Sequence, residues 1–363
     1  MVMDGDSAEP VASVVVPTCD RREKTRKCVE SLLAQTAREI EVIVVDDGSR
    51  DGTPQELEKI NDSRLVVLQN EQNQGANASR NRGVQHASAD LVIFLDSDCV
   101  AEPDLVEKYL PVFADASIGA ASGLVADLPP ANVWELMFNG THRFGTRGPI
   151  SRVCSANLCV RRKLLVSHEW EEDFTDNAVD EDGVVDTSFS GRCDEEGLYL
   201  AIRAAGWRVV AEPAAKVVHD HPYDRRALLL QAYHGGAAAA ELVWKFRLRD
   251  RLDLIPLACF YLSIVPAVTL GAVFTWWWLL VPVFFLALQC AAVFYNETSR
   301  KGKTLLQFAR ITPVLIIYYN LRLAGYVKRR LGLLLGIEPI NRIGRGMIGQ
   351  GMPTPPGRMA TRS

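Results

Sequence analysis

The sequence of 363 residues lacks the marks of several protein classes. Its eight cysteines include no pair at CxxC spacing, and the closest two are Cys154 and Cys159. This pattern predicts buried, reduced thiols in a cytosolic compartment. The formal net charge of -4 gives no general attraction to nucleic acid, and the basic residues form no stripe interleaved with aromatic side chains. We therefore expect no nucleic-acid partner.

The first ten residues, MVMDGDSAEP, lack both the basic start and the apolar run of a signal peptide. We expect residues 1–11 to be a flexible amino terminus, and the domain that follows to stay in the cytoplasm. Residues 344–363 are rich in glycine, proline and arginine, which predicts a flexible tail.

Charged side chains are absent from residues 254–296, a run of 43 positions. About 20 apolar residues cross a bilayer once, so this run predicts a transmembrane hairpin of two helices. Lysine and arginine flank the run on both sides, at Lys245, Arg247, Arg249 and Arg251 and at Arg300, Lys301, Lys303 and Arg310. By the positive-inside rule, these flanks predict a multi-pass protein of the cell membrane with both termini in the cytoplasm.

Two further segments adjoin the predicted hairpin. Residues 226–253 are expected to form an amphipathic, juxtamembrane helical linker. Residues 304–335 contain an apolar run that is interrupted by Arg322 and followed by a basic cluster at Lys328 to Arg330. A full crossing would place that cluster outside, so we predict an interfacial or re-entrant helical segment.

Residues 12–225 alternate short apolar runs with helical stretches. The runs ASVVVP, IEVIVV, RLVVLQ and LVIFL begin at Ala12, Ile40, Arg64 and Leu91. Apolar runs of strand length that alternate with helices are typical of a mostly parallel sheet. The sequence therefore predicts an α/β domain at residues 12–225.

Carboxylates follow two of the predicted strands, as Asp46-Asp47 and as Asp96-Ser97-Asp98. Ligands of open α/β sheets gather at the carboxyl ends of the strands. Residues i and i+2 of an extended strand share one side, so we expect Asp96 and Asp98 to point the same way. A DxD triplet is common by chance, but the second acidic pair strengthens the prediction of a site for Mg²⁺ or Mn²⁺.

Four motifs, VVVPTCDR, VIVVDDGSRDGT, NQGANASRNRG and LVIFLDSDC, resemble the family 2 glycosyltransferases in order and spacing. The resemblance covers residues 13–220. It implies the GT-A fold, in which a mostly parallel central sheet binds a nucleotide-sugar, and an inverting reaction with Mg²⁺ or Mn²⁺. The nucleotide-sugar ligands that it implies are Pro17, Thr18, Asp20, Asp46, Asp47, Gly75, Arg80, Asp96 and Ser97.

Individual roles follow from the same resemblance. Asp46 would accept a hydrogen bond from a uracil ring, Asp98 would bind the metal, and Asp96 would face the ribose or the metal. His219 is a candidate third metal ligand, and a histidine bonded to backbone at a strand end is the alternative. Asn157, in RVCSANLCVRR, is a candidate contact for the donor or acceptor sugar.

The catalytic base is expected in CDEEGLYLAIRAAGW, which resembles a family segment with an acidic pair ahead of a helix. Counting back from Ala-Gly-Trp places Glu195 at the base position, whereas an aspartate, here Asp194, is the more typical residue. An inverting transfer needs one carboxylate to remove the proton of the acceptor hydroxyl. The alternative for these acids is a solvated helix start that the helix dipole stabilises.

These features predict sugar transfer from a nucleotide-sugar, a UDP-sugar by resemblance, at the cytoplasmic membrane face. The hairpin favours a lipid-linked acceptor or a cell-envelope glycan, as in polysaccharide biosynthesis. A processive polysaccharide synthase is the first alternative, although its Gln-x-x-Arg-Trp segment is missing. A nucleotidyltransferase is less favoured because the chain after the first strand is not glycine-rich, and both acidic pairs disfavour a binding module without activity.

Overall fold

The structure, a computed structural model, describes residues 9–138, 146–150, 152–167, 178–179, 185–186, 194–220, 225–245, 254–273 and 276–335. The described chain divides into two compact units. The first contains residues 9–128 together with those described between 146 and 220, and the second contains residues 129–138 and 225–335. The predicted tail, residues 344–363, and most of the predicted flexible amino terminus lie outside the described residues.

In its described part, the first unit is built on a mixed sheet of nine strands. These are β1 (Ala12–Thr18), β2 (Ile40–Asp46), β3 (Leu65–Gln69), β4 (Leu91–Leu95), β5 (Cys99–Ala101), β6 (Ile118–Asp127), β7 (Gly148–Pro149), β8 (Asn157–Arg161) and β11 (Arg208–His219). Their order is β3-β2-β1-β4-β8-β6-β11-β5, and β7 pairs with β11. Two short strands, β9 (Ala178–Val179) and β10 (Val185–Asp186), pair separately.

The four apolar runs of the sequence form β1 to β4, and these strands are parallel to one another. This block confirms the predicted α/β architecture. The other half of the sheet is mixed, because β8 runs antiparallel to both of its neighbours and β11 is parallel to β6.

Helices cover both faces of this sheet, and alternate residues of a strand supply the two cores. Val14 and Val16 belong to one apolar cluster and Val15 to the other. The helices of this unit are α1 (Arg22–Leu33), α2 (Thr53–Leu57), α3 (Ala76–His86), α4 (Leu105–Tyr109), α6 (Arg162–Ser167) and α7 (Asp194–Ala204), with a 3₁₀ turn at Leu110–Ala114. Helix α3 packs closely on β1, since a Cβ added to Gly83 would lie 2.4 Å from Val15 Cγ1.

The second unit is helical in its described part. Its helices are α5 (Val133–Phe138), α8 (Arg225–Lys245), α9 (Ile255–Val273), α10 (Leu280–Tyr295) and α11 (Leu305–Leu335), with a 3₁₀ turn at Trp276–Leu279 and a π-helical turn at Asn296–Arg300. Two glycines allow α8 and α11 to touch. A Cβ on Gly236 would lie 1.9 Å from the carbonyl oxygen of Arg322, and one on Gly325 equally close to that of Tyr233.

Among the described residues, one helical segment, Trp277–Ser299, is long and apolar enough to cross a membrane. The apolar segment Ile255–Leu270 of α9 is shorter. Residues 305–335 form one continuous helix that contains Pro313. The predicted division into a linker, a hairpin and an interfacial segment stays a prediction.

A buried cluster of charged residues lies at the carboxyl end of the Trp277–Ser299 segment. Glu297 is fully buried and accepts from the ammonium groups of Lys301 and Lys303, each at 2.8 Å. Lys303 also donates to the carbonyl oxygen of Met137 in α5, at 3.3 Å. The cluster therefore ties the turn after α10 to α5 within the helical unit.

Candidate active site

Several polar residues that the sequence singles out lie at the ends of neighbouring strands of the sheet. Strands β1, β2 and β4 are parallel, and Thr18 at the end of β1 lies beside Asp46 at the end of β2. Strand β11 runs in the same direction, because two antiparallel pairings and one parallel pairing separate it from β4. The carboxyl ends of these strands therefore form a single edge, which is where ligands of α/β sheets bind.

Asp46 is a buried carboxylate, and one of its two oxygens accepts no hydrogen bond from the described residues. Its side chain ends β2, the residue is 2% exposed, and its Oδ2 accepts from the backbone N–H of Ser49 at 3.2 Å. Its Oδ1 is buried and has no hydrogen-bond donor in the described part of the chain. Burial raises the pKa of the Asp46 carboxyl above its usual value, against the opposing effect of the bonds from Ser49. A buried acceptor without a donor is unfavourable, so a ligand N–H at this point would be stabilising.

Asp47 has different surroundings from its neighbour. Its Oδ1 accepts from the side-chain amide of Asn70 at 2.7 Å and from the N–H of Gln74 at 2.9 Å. Its Oδ2 accepts from the N–H of Gly75 at 2.7 Å. Both oxygens hold the loop that leads into α3, and Gly75, with a φ of 93°, is the residue just before that helix. Asp47 therefore shapes the loop, and its predicted contact with the nucleotide stays a prediction.

The loop after β1 is joined to the loop after β2. Asp20 is the one non-glycine residue with positive φ, 49°, in the described chain. Its N–H donates to Ser49 Oγ at 2.8 Å, and its carboxylate accepts from the N–H of Arg50 at 2.6 Å. Pro17 and Thr18 are buried at the end of β1, and the Thr18 hydroxyl contacts that of Thr25 at 2.6 Å. The strained backbone at Asp20 is thus held from the second loop.

Asp96, Ser97 and Asp98 form a turn between β4 and β5, closed by a bond from Cys99 N–H to Asp96 O at 2.9 Å. The expectation that Asp96 and Asp98 share one side of an extended strand is wrong, because the strand ends at Leu95. Ser97 and Asp98 are buried, whereas the Asp96 side chain is 28% exposed. The two carboxylates consequently have different partners.

Asp98 lies between two basic side chains. Its Oδ2 accepts from Arg21 NH1 at 2.7 Å, and its Oδ1 lies 3.1 Å from Nε2 of His219. His219 ends β11 opposite Cys99 of β5. Burial lowers the pKa of the His219 imidazole, but the hydrogen bond and charge of Asp98 raise it by more, so the net shift is upward.

Asp98, Cys99 and His219 are a group, found among the described residues, whose ligand atoms lie within 4.8 Å of one another. Burial raises the pKa of the Cys99 thiol well above its usual value, and a soft sulfur ligand does not suit Mg²⁺ or Mn²⁺. A carboxylate and an imidazole remain. They suit a divalent ion that takes oxygen and nitrogen ligands, once Arg21 has moved from Asp98.

A chain of hydrogen bonds connects Asp96 with Glu195. The buried guanidinium of Arg80 donates through NH2 to Asp96 Oδ1 at 3.0 Å and to Ser155 Oγ at 3.2 Å. Ser155 in turn donates through both its N–H and its hydroxyl to Glu195 Oε1, each at 2.7 Å. Glu195 lies in the first turn of α7, whereas the side chain of Asp194 lies outside the described part of the structure.

Asn157 pairs with Leu95 at the end of β4, and its side chain is hydrogen-bonded within the protein. It is fully buried, its Oδ1 accepts from the Tyr109 hydroxyl at 2.7 Å, and its Nδ2 donates to the carbonyl oxygens of Leu124 and Ala215. The side-chain amide of Asn157 is thus hydrogen-bonded within the protein, and the sugar contact predicted at this residue stays a prediction.

Two residues of the site were not singled out from the sequence. Arg21 lies inside the quoted VVVPTCDR motif, but its partner Asp98 is 77 positions away. Ser155 lies in an irregular stretch before β8, and its two partners are 75 and 40 positions away. Only the three-dimensional contacts reveal either residue.

Comparison with known proteins shows similarity to glycosyltransferases. Residues 13–166 match the model of Glycosyl transferase family 2. The putative glycosyltransferase EpsH of Bacillus subtilis is 39% identical over 109 residues, which are 29% of this chain and 31% of that protein. The GalNAc(5)-diNAcBac-PP-undecaprenol beta-1,3-glucosyltransferase of Campylobacter jejuni is 38% identical over 92 residues, 24% of this chain and 30% of that protein. The chain thus spans about a third of the length of these relatives.

A solved structure is similar over most of its length. The mannosyltransferase PcManGT of Pyrobaculum calidifontis, determined with GDP-Man and Mn²⁺, aligns with a TM-score of 0.52 and 17% identity, covering 89% of this chain and 87% of that one. At this identity the similarity concerns the fold.

Proposed function

The chain carries a family 2 glycosyltransferase domain with a GT-A-like α/β fold, and on this basis we propose that it transfers a sugar from a nucleotide-sugar to an acceptor with inversion at the anomeric carbon. The donor is a UDP-sugar, and the reaction requires Mg²⁺ or Mn²⁺. The acceptor is a hydroxyl or phosphate group of a lipid-linked molecule or a cell-envelope glycan.

Asp46 supports this proposal most directly, because its buried Oδ1 accepts no hydrogen bond from the described residues. A uracil ring presents one N–H between two carbonyl groups, so a single acceptor is its complement. Guanine presents an N–H and an amino group side by side, which suit a carboxylate with both oxygens open. Because Asp46 Oδ2 already accepts from Ser49, the single oxygen Oδ1 favours uracil.

Other residues shape the donor pocket around Asp46. We assign Pro17, Thr18, Gly75 and Ser97 to its walls, largely through main chain. Asp20 fixes the two loops over the base, and Arg80 holds Asp96 toward the ribose. Asp47 acts indirectly, through the loop that it bonds.

Asp98 and His219 would hold the divalent ion, with Asp96 facing it or the ribose. When bound, such an ion offsets the negative charge that develops on the leaving diphosphate. Arg21 is released from Asp98 by the same event and is then free to turn its guanidinium toward the phosphates. The chemistry of these ligands admits Mn²⁺ and Mg²⁺ alike.

Glu195 is assigned as the base, with Asp194 as the alternative. The carboxylate accepts the proton of the acceptor hydroxyl while that oxygen attacks the anomeric carbon from the face opposite the diphosphate. The bond from the anomeric carbon to the phosphate oxygen breaks, and the nucleoside diphosphate leaves with the electron pair. Glu195→Gln should abolish transfer with donor binding retained. Normal turnover in both Glu195→Gln and Asp194→Asn would refute the assignment.

The membrane location is part of the proposal. One segment, Trp277–Ser299, has the length and composition of a span, and basic residues flank the uncharged run on both sides. We propose a multi-pass arrangement in which the catalytic domain and both termini are cytoplasmic. The Campylobacter relative, whose name gives an undecaprenol-linked substrate, supports a lipid-linked acceptor.

A donor and acceptor screen tests the function. Purified full-length protein is incubated with UDP-, GDP- and ADP-sugars, with and without Mn²⁺ or Mg²⁺, and with lipid extract or a soluble acceptor. Metal-dependent release of UDP, increased by lipid, is expected. Release from no donor would contradict the proposal, and a product that lengthens with time would favour a processive synthase.

A further inference from the structure

We propose that Ser155 is a positioning residue that fixes the carboxylate of Glu195 and connects it to the donor side of the site. The inference rests on the proposed function, since it takes Glu195 as the base. It assigns to Ser155 a role in turnover rather than in donor affinity.

The first ground is the double contact between the two residues. Ser155 offers its backbone N–H and its hydroxyl to the same oxygen, Glu195 Oε1, at 2.7 Å each. Two donors from one residue restrict the rotation of the carboxylate. A base acts efficiently only when its oxygen lies within hydrogen-bond reach of the acceptor proton.

The second ground is the direction of the hydroxyl proton. A guanidinium has donors only, so Ser155 Oγ must accept from Arg80 NH2, which lies 3.2 Å away. The single hydroxyl proton is then available for Glu195. The Arg80 contact thus orients the Ser155 hydroxyl toward the Glu195 carboxylate. The bond that Arg80 donates to Ser155 Oγ also polarises the Ser155 O–H.

The third ground is the rigidity of the residue that bears the hydroxyl. Ser155 is 7% exposed, and the backbone before it is fixed by a bond from Cys154 N–H to Ser122 Oγ at 3.2 Å. The turn around it is closed by a bond from Asn157 N–H to Cys154 O at 3.1 Å. A buried, fixed hydroxyl suits the orientation of a group on another element, here the first turn of α7.

Because Arg80 NH2 also contacts Asp96, the series Asp96, Arg80, Ser155, Glu195 runs from the ribose side of the pocket to the base. Loss of the Ser155 hydroxyl removes one of the two bonds that Ser155 donates to Glu195 and leaves its backbone bond. Misplacement of a catalytic group by about 1 Å lowers turnover about 100-fold, so we expect Ser155→Ala to reduce kcat about 10- to 100-fold.

The test compares Ser155→Ala, Ser155→Thr and Ser13→Ala in the full-length protein. Ser13 is the matched control, since it is a buried serine that also donates to a carboxylate, Glu41, but lies at the opposite end of β1. We expect Ser155→Ala to lower kcat with a donor Kd within about twofold of wild type, Ser155→Thr to restore most of kcat, and Ser13→Ala to leave kcat unchanged.

A double mutant decides whether Ser155 acts through Glu195. In the Glu195→Gln background, Ser155→Ala should cause no further loss of the residual UDP release by donor hydrolysis, because the group that it orients is already disabled. Three results would each overturn the proposal. They are losses of activity that multiply in the double mutant, a wild-type kcat for Ser155→Ala, and an effect of Ser155→Ala on donor Kd alone. A thermal-unfolding cycle with the same variants measures the contact itself without activity. If that cycle shows coupling while the wild-type protein transfers no sugar from any donor, the contact stands, but the proposed function and the positioning role both fail.

Discussion

Arg21 and Asp98 form an ion pair with an N–O distance of 2.7 Å, in which the Asp98 side chain is 2% exposed and that of Arg21 is 38% exposed. The partly exposed arginine can leave, whereas the carboxylate is fixed. Any cation that binds Asp98 through this oxygen must displace Arg21. The pair therefore makes Arg21 a competitor of the proposed metal in the protein without nucleotide.

Removal of this competitor should strengthen metal binding. A partly exposed ion pair contributes up to about 1 kcal/mol, so Arg21→Ala should lower the Kd for Mn²⁺ about 3- to 5-fold in the absence of nucleotide. Titration followed by Mn²⁺ electron paramagnetic resonance measures this Kd. Arg22→Ala, the neighbouring arginine with contacts to Asp51 and Glu23, is the control and should have no effect. Unchanged or weaker binding by Arg21→Ala would contradict the competition.

The ionised carboxylate of Asp46 should lower the free energy of unfolding of the ligand-free protein, although the same carboxylate is proposed to bind the donor. Its folded pKa is raised above the ordinary value of 3.8, so the ionised form is disfavoured in the folded state. This destabilisation is complete above the folded pKa and disappears as the pH falls below 3.8. Asp46→Asn should therefore raise the Tm of the ligand-free protein at about pH 7.5, by an amount that shrinks toward acid pH.

Asp62 provides a control of opposite sign for Asp46. Hydrogen bonds from Arg64 lower the pKa of the Asp62 carboxyl, so its ionised form stabilises the fold above pH 3.8. Asp62→Asn should lower Tm at neutral pH. Thermal melts of both variants across pH give the two signs in one experiment, and a lower Tm for Asp46→Asn at neutral pH would show that its burial is not unfavourable.

The close packing of α3 on β1 predicts a steric effect. A methyl group at Gly83 would lie 2.4 Å from Val15 Cγ1, so Gly83→Ala should destabilise the protein by about 1–3 kcal/mol. Gly235→Ala is the control, since nothing lies within 4 Å of its added Cβ and a helical alanine is favoured by about 1 kcal/mol. Chemical denaturation measures both. Adding Val15→Ala should recover part of the loss in Gly83→Ala, and an additive pair would show that the clash is not the cause.

The Glu297 cluster predicts a stability effect in the helical unit. Glu297→Gln leaves Lys301 and the buried Lys303 without their carboxylate, and the loss of one partner of a buried ion pair costs about 3–5 kcal/mol. The Tm in detergent should fall. Adding Lys303→Met removes the stranded charge and should recover part of the Tm, whereas a further fall would mean that Lys303 matters chiefly through its bond to Met137.

The sequence predicted the parallel half of the sheet and the edge where polar residues collect. Those features depend on local pattern, since β1 is buried along its whole length and Asp46 directly ends β2. The expectation of an extended strand at Asp96 to Asp98 failed because the chain turns immediately after Leu95. The i, i+2 spacing of Asp96 and Asp98 is the same whether the chain continues as a strand or turns, so the spacing alone could not distinguish the two.

The partners of the site residues were beyond reach of the sequence. The sequence offered Asn157 as a candidate sugar contact, but it could not show that the side-chain amide bonds to Tyr109 and to carbonyl oxygens of two other strands. Ser155 is recognisable only from its contacts with Arg80 of α3 and Glu195 of α7. Long-range pairing, rather than local composition, decides which polar side chain serves the core and which serves a ligand.

The bonds from Asn70, Gln74 and Gly75 to Asp47 give the two adjacent aspartates different consequences in a mutational survey. Variants at Asp46 would retain normal protein yield and lose turnover. Variants at Asp47 would lose yield and turnover together, because the loop before α3 would lose its anchor. A change of donor preference by design would accordingly begin at Asp46 and Ser49 and keep Asp47 as it is.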